Sequence, residues 1–100
     1  METLEDMRKS IDNIDNAIVA MFAERFKLTN RVGYYKAKKG LPAKDLNRES
    51  EQYERVVSLA NQYSLDPEFA KSYLAAVIKH VIKNHKNIAN QFKDAAKKVL

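Results

Sequence analysis

The first 39 residues carry an apolar heptad seam that few folds can accommodate. Leu4, Ile11, Ile18, Arg25 and Val32 recur every seven residues, and Met7, Ile14, Met21, Leu28 and Tyr35 form a second row three residues on. Two interleaved rows at that spacing describe one long helix with a continuous apolar side. A helix from about residue 4 to residue 39 is ~54 Å long at ~1.5 Å per residue, whereas a compact domain of ~100 residues has a radius of gyration near ~13 Å. The rest of the chain can cover only part of such a rod, so a second chain is expected to cover the remainder. The expected architecture is an intertwined homodimer in which helix 1 of each protomer reaches across the other. Arg25 interrupts the seam. A charge at an otherwise aliphatic position costs several kcal/mol of desolvation unless an anion meets it. Either an acidic side chain answers it, or the seam borders a pocket built for an anion.

The chain has only two glycines and two prolines in 100 residues, too little turn chemistry for a sheet. Helix formers dominate, so the expected class is all-α, a single domain of three helices. Helix 1 ends at Lys39-Gly40-Leu41-Pro42, a basic last turn followed by Gly and then Pro. Asp45 is a good N-cap for helix 2, expected over about 46–63, with Leu46, Tyr53, Val56, Val57 and Ala60 on one face. Glu49 lies on that same face between Leu46 and Tyr53, and Arg48 borders it. Asp66-Pro67 opens helix 3, expected over 67–91 or beyond, with Leu74, Val77, Ile78, Val81, Ile88 and Phe92 as its stripe. His85 falls on that stripe, and residues 92–100 read as a basic tail. Gly33 costs about 1 kcal/mol relative to Ala inside a helix, which close packing of another backbone or of a ligand would explain.

Several chemistries are excluded. The chain has no cysteine, so there is no disulfide or thiol nucleophile, which suits a reducing compartment. No apolar run approaches the ~20 residues of a membrane span, and METLEDMRKS lacks a signal-peptide core. A cytoplasmic protein that does not act at a membrane is expected. The net charge of +5 favours an anionic partner, and the lysines are read as a solvated face rather than a nucleic-acid footprint. His80 and His85 are five residues apart and lack carboxylate company, so no metal is expected. Two glycines cannot build a phosphate-cradling loop, and no Ser-His-Asp arrangement is visible.

What remains is a set of misplaced ionisable residues. Arg25, Glu49 and His85 stand on the core faces of three different helices, and Arg8, Lys36 and Arg48 stand at the edges of the same faces. Taken singly, His85 reads as a satisfied core histidine, and Arg25 with Glu49 as a buried pair that sets register. Taken together, four cations against one inward carboxylate leave surplus positive charge, which an anionic ligand would neutralise.

The residues that carry this reading also resemble a known family. Met7-Arg8 with Ile11, Ile14 and Asp15, then Ala23-Glu24-Arg25, Val32-Gly33, Lys36 and Asp45-Leu46-Asn47-Arg48-Glu49, resemble the all-α class of chorismate mutase over roughly residues 4–88. The resemblance implies a domain-swapped dimer with two active sites, each built from both protomers. It implies the Claisen rearrangement of chorismate to prephenate in phenylalanine and tyrosine biosynthesis, without a cofactor. By position, Arg25 and Arg48 look like carboxylate binders of one protomer, with Arg8 arriving from the other. Lys36 resembles the lysine that contacts a carboxylate and the ether oxygen. Glu49 resembles the acceptor for the substrate hydroxyl, and Asp45 lies where backbone helps to hold that hydroxyl. Helix 3 departs from the pattern: the family commonly has Ser where Val81 stands, and Gln or Glu, the second donor to the ether oxygen, where His85 stands.

The implied chemistry suits the inventory. Chorismate is a dianion, and guanidinium forks match carboxylates. The rearrangement is pericyclic and is promoted by holding the enolpyruvyl arm over the ring. Charge growing on the ether oxygen is met by fixed donors, Lys36 and His85. Isochorismate-pyruvate lyase and aminodeoxychorismate mutase on the same fold remain alternatives. A non-enzymatic dimeric helical binding module is a further one, but it leaves Arg25 and Glu49 unexplained.

Overall fold

Thr3 starts the first helix by a reciprocal cap. Its hydroxyl accepts the Asp6 N–H at 3.1 Å, while the Asp6 carboxylate accepts the Thr3 N–H at 3.0 Å. The computed structural model describes residues 1–99, with side chains described through residue 97. Among the described residues the chain forms α1 (Leu4–Lys39), α2 (Leu46–Gln62) and α3 (Pro67–Val99), and no strand. The fold is all-α. Gly40 closes α1 in the left-handed conformation at φ 68°, with its N–H and that of Leu41 returning to the carbonyls of the last turn. Asp45 caps α2 by accepting the Arg48 N–H at 3.1 Å, and Asp66 accepts the Glu68 N–H at 2.9 Å at the start of α3. The segment expected as a basic tail continues α3 as helix to Val99, and Leu100 lies outside the described residues.

The hydrogen bond from the Thr3 backbone, and then that from its side chain, hold the Asp6 carboxyl below its ordinary value of 3.8. A depressed carboxylate contributes stability above its ordinary value and loses it as pH falls through the lowered one. Amide protection over the first turn of α1 is therefore expected to drop as the pH falls below 3.8, while that of α3 holds. Unchanged protection of Asp6 and Met7 in acid would contradict it.

α3 is the central element: it packs against both α1 and α2, which do not meet each other. The core is thin, consisting of Ala60, Ala70, Leu74, Val77, Ile78 and Ile88, together with His85 and Gly33. The half of α1 that meets α3 does so through Phe22 and Phe26, which face Tyr73 and His80 with ring centroids 5.6 and 4.8 Å apart, and further on through Thr29 and Gly33. That stripe is offset by about one residue from the heptad seam. The seam itself is left uncovered, from Leu4 through Ile18 to Met21 (70% exposed), Leu28 and Val32. Its own chain covers less of it than the spacing suggests, because the aromatic stripe has taken α3.

Three further residues differ from the sequence expectation. Leu46 is 70% exposed, since α1 does not reach α2 and nothing in the chain lies over its first turn. Phe92 is 40% exposed and leans on Tyr34 at 6.2 Å instead of entering the core. At Gly33 the close neighbour is neither backbone nor ligand. It is the His85 ring and the end of the Ile88 side chain, 2.7 and 2.9 Å from where a Cβ would sit.

The molecule measures 70 × 27 × 15 Å with a radius of gyration of 18.2 Å. Its accessible surface is 8245 Å², against ~5,800 Å² from the scaling law for compact monomers of this mass.

Candidate active site

Three helical stripes, each running i, i+3, i+4, i+7, enclose one cavity of about 270 Å³. On α1 the stripe is Arg25, Leu28, Thr29 and Val32, with Lys36 one turn beyond. At the start of α2 it is Asp45, Arg48, Glu49 and Gln52, and on α3 it is Ile78, Val81, Ile82 and His85. Ala43 of the connector closes one end. Residues at these offsets share a helix face, which explains how polar groups far apart in sequence converge. The volume is just below the range of drug-sized ligand sites, about 300 to 1,000 Å³.

Seven of the eight residues singled out in the sequence line this cavity: Arg25, Lys36, Asp45, Arg48, Glu49, Val81 and His85. Arg8 does not. It stands exposed on the same helix 17 residues before Arg25, ~25 Å away at ~1.5 Å per residue. Gln52 lines the cavity too, and its offset of three from Glu49 was the signal that sequence reasoning passed over.

Among the described residues Arg25 has no answering acid. One guanidinium nitrogen, Nη1, is buried without any hydrogen-bond partner, and none of the ion pairs among the described residues includes Arg25. Of the two options that the seam left open, the register-setting pair is therefore not formed, and the cation borders a hollow. Lys36, half-buried, donates to the Ala43 carbonyl at 3.3 Å and ties the connector to α1. An ammonium has three donors, so two stay free. Arg48 is exposed, with Glu51 at 3.5 Å. The Asp45 carboxylate makes the capping bond through Oδ1, and the Asp45 carbonyl accepts the Glu49 N–H at 3.0 Å.

Glu49 is half-buried and meets a cation that the sequence did not suggest. Lys44 Nζ stands 3.2 Å from Oε2, off the direction of a hydrogen bond, and makes a long one of 3.4 Å to Oε1. Oε2 thus keeps an acceptor site unfilled at the cavity. His85 is 4% exposed. Its Nε2 lies 2.7 Å from the Thr29 carbonyl oxygen, while Nδ1 is buried with no partner. Val81 contributes only an apolar wall.

The cavity thus has three cations and two carboxylates along its rim, one of the carboxylates spent on a helix cap, and three buried polar atoms unpaired: Arg25 Nη1, Glu49 Oε2 and His85 Nδ1. Unpaired buried polar atoms cost about 1–3 kcal/mol each, and a ligand supplying two anionic groups, a donor and an acceptor would satisfy them. No group of three or more metal-ligating side chains occurs among the described residues, and no helix there is long and apolar enough to cross a membrane.

Comparison with known proteins gives a consistent result. The profile of the family described as chorismate mutase type II matches residues 7–86. A chorismate mutase of Methanocaldococcus jannaschii is 34% identical over 80 residues, covering 80% of this chain and 81% of that protein. A bifunctional chorismate mutase/prephenate dehydratase of Aquifex aeolicus is 35% identical over 82 residues, and that of Escherichia coli is 26% identical over 85. Those alignments take in 82% and 85% of this chain but only 22% of either bifunctional protein.

Proposed function

The chain belongs to the chorismate mutase type II family, and from that premise we propose how its residues perform the reaction. It is an isomerase that rearranges chorismate to prephenate. The observation that carries the assignment of the site is the unpartnered Arg25 guanidinium in a cavity with Lys36, Arg48 and Glu49.

Arg25 and Arg48 hold the two carboxylates of chorismate, with Arg8 of the partner subunit completing one of them. Fork geometry favours guanidinium for this task. Glu49, through the unfilled site on Oε2, accepts the hydrogen of the ring hydroxyl, and the backbone at Asp45 assists. Lys36 donates to one carboxylate and to the ether oxygen, and His85 is the second group directed at that oxygen. Leu28, Val32, Ile78, Val81 and Ile82 form the wall that holds the enolpyruvyl arm over the ring, the near-attack geometry on which a pericyclic step depends. As the carbon–oxygen bond breaks, negative charge accumulates on oxygen among donors already in place. No proton is transferred and no covalent intermediate forms. Val81 offers no hydroxyl, so the substrate has one hydrogen bond fewer from α3.

The dimer is part of the same proposal. An apolar seam open along α1, about 2,400 Å² of surface beyond the compact expectation, and Arg8 held ~25 Å from its own chain's cavity are all accounted for if α1 crosses a second copy. Interfaces of obligate dimers bury ~2,000–5,000 Å² in total. A cytoplasmic setting, proposed alongside, suits a chain without cysteine.

Incubating the purified chain with chorismate, isochorismate or aminodeoxychorismate, and identifying each product by ultraviolet absorbance and chromatography, tests the reaction. Prephenate from chorismate is expected, and pyruvate release from isochorismate as the only turnover would refute it. Sedimentation is expected to give twice the chain mass of 11.5 kDa, and Ile14→Asp on the open seam to lower both mass and turnover. Full activity in a wild-type monomer would overturn the shared site.

A further inference from the structure

His85 stands where its chemistry depends on which ring nitrogen is free, and two features of α1 decide that. The Thr29 carbonyl lies 2.7 Å from Nε2. A carbonyl oxygen can only accept, so Nε2 must carry the proton. The space that lets the ring edge approach α1 is supplied by Gly33, where a Cβ would lie 2.7 Å from His85 Cδ2 and 3.2 Å from Nε2. With Nε2 and Cδ2 turned to α1, Nδ1 is the one nitrogen left, and it is buried and unpaired in a residue that lines the cavity.

We infer that Gly33 and the Thr29 carbonyl are positioning elements that lock His85 in the Nε2–H form, so that its Nδ1 donates to the substrate only when the ring is an imidazolium. This rests on the mutase reading above. In the neutral ring Nδ1 is an acceptor and faces a developing oxyanion with a lone pair. In the charged ring it is a donor with a full positive charge behind it. The groups lining the same cavity are Arg25 and Lys36 of α1, Asp45 ahead of α2, and Arg48 and Glu49 of α2. An amide at this position would donate at any pH, so the histidine makes turnover pH-dependent where glutamine would not.

Three measurements test this. Nitrogen-15 imidazole shifts of the substrate-free protein, taken at a pH where the ring is neutral, are expected to show Nε2 protonated and Nδ1 bare, and the opposite tautomer would overturn the lock. Wild-type kcat for chorismate is expected to fall as the pH rises from about 5 to about 8, the range in which imidazole changes charge, and His85→Gln to lose that fall whatever its own rate. A flat wild-type profile, or a profile unchanged by H85Q, would overturn the imidazolium requirement. Gly33→Ala is expected to lower kcat ~10-fold or more by displacing the ring, since misplacement by an ångström can cost up to ~10², and to cost less in the H85Q background. Equal losses in both backgrounds would refute positioning through His85. If no form turned over chorismate, the mutase reading would have failed, and the tautomer would still be read without substrate.

Discussion

Lys36→Ala is expected to lower kcat for chorismate by at least about a hundredfold, the usual cost of removing one fixed donor from a developing oxyanion. Lys36 is half-buried on the last turns of α1, where its stem crosses the cavity wall and its ammonium reaches the connector at Ala43. The bond to the Ala43 carbonyl uses one donor and fixes the direction of the other two. Charge at the ether oxygen exists only as the bond breaks, so that part of the loss falls on kcat and kcat/KM alike. The carboxylate that Lys36 also holds is present in the ground state, so KM should rise as well. Lys36→Gln separates the two parts: it keeps a donor of similar reach but no charge, and should recover some binding and little rate. Kinetics like those of the wild type in the alanine variant would remove Lys36 from the mechanism. An equal loss of helicity would instead mean that the connector had come free.

The second large effect concerns the two arginines that one chain cannot bring together. Arg8→Ala and Arg25→Ala are each expected to reduce kcat/KM by at least about a hundredfold, because each removes a charge-assisted hydrogen bond to a substrate carboxylate, worth up to roughly 3 kcal/mol. Mixed after dissociation and reassembly, the two inactive variants should regain roughly a quarter of wild-type activity. Half of randomly assorted dimers are hybrids, and each hybrid has one site in which both arginines survive. No recovery, with hybrid formation verified by mass, would exclude a site shared between subunits. Recovery at high salt would be smaller, as is general for charge pairs open to solvent.

The charge pattern makes these expectations more than analogy. Arg25 is costly to place on an apolar seam, and among the described residues nothing repays that cost: its Nη1 is buried with no partner. The same holds for one Glu49 oxygen and for His85 Nδ1. Orphaned groups of this kind concentrate at sites that wait for a ligand. They occur here in a single hollow.

Much of this was legible in the residues because it is local. The ends of α1 and α2 follow from Thr3, Gly40 and Asp45, whose side chains or conformations act within a few residues. That Arg25 and Lys36 share a face of α1, and that Glu49 and His85 stand on the apolar faces of α2 and α3, follows from helical period. The length of α1 against the size of the chain is the feature from which a second copy is expected. The stripe formed by Phe22, Phe26, Thr29 and Gly33 was harder to see. It lies about one residue from a stronger aliphatic seam, and periodicity cannot tell which of two adjacent stripes meets its own chain.

What only the tertiary structure decided are relations between atoms of elements distant in sequence. Arg25, Glu49 and His85 come to one cavity because α3 packs against both α1 and α2. Which nitrogen of His85 is free depends on a carbonyl 56 residues earlier and on the absence of a methyl group at Gly33. Period and caps determine which way a side chain leaves its helix. The hydrogen bond that a ring makes at the far side of a packed interface is set by how two helices approach, a distance of a few tenths of an ångström that no pattern of residue types encodes.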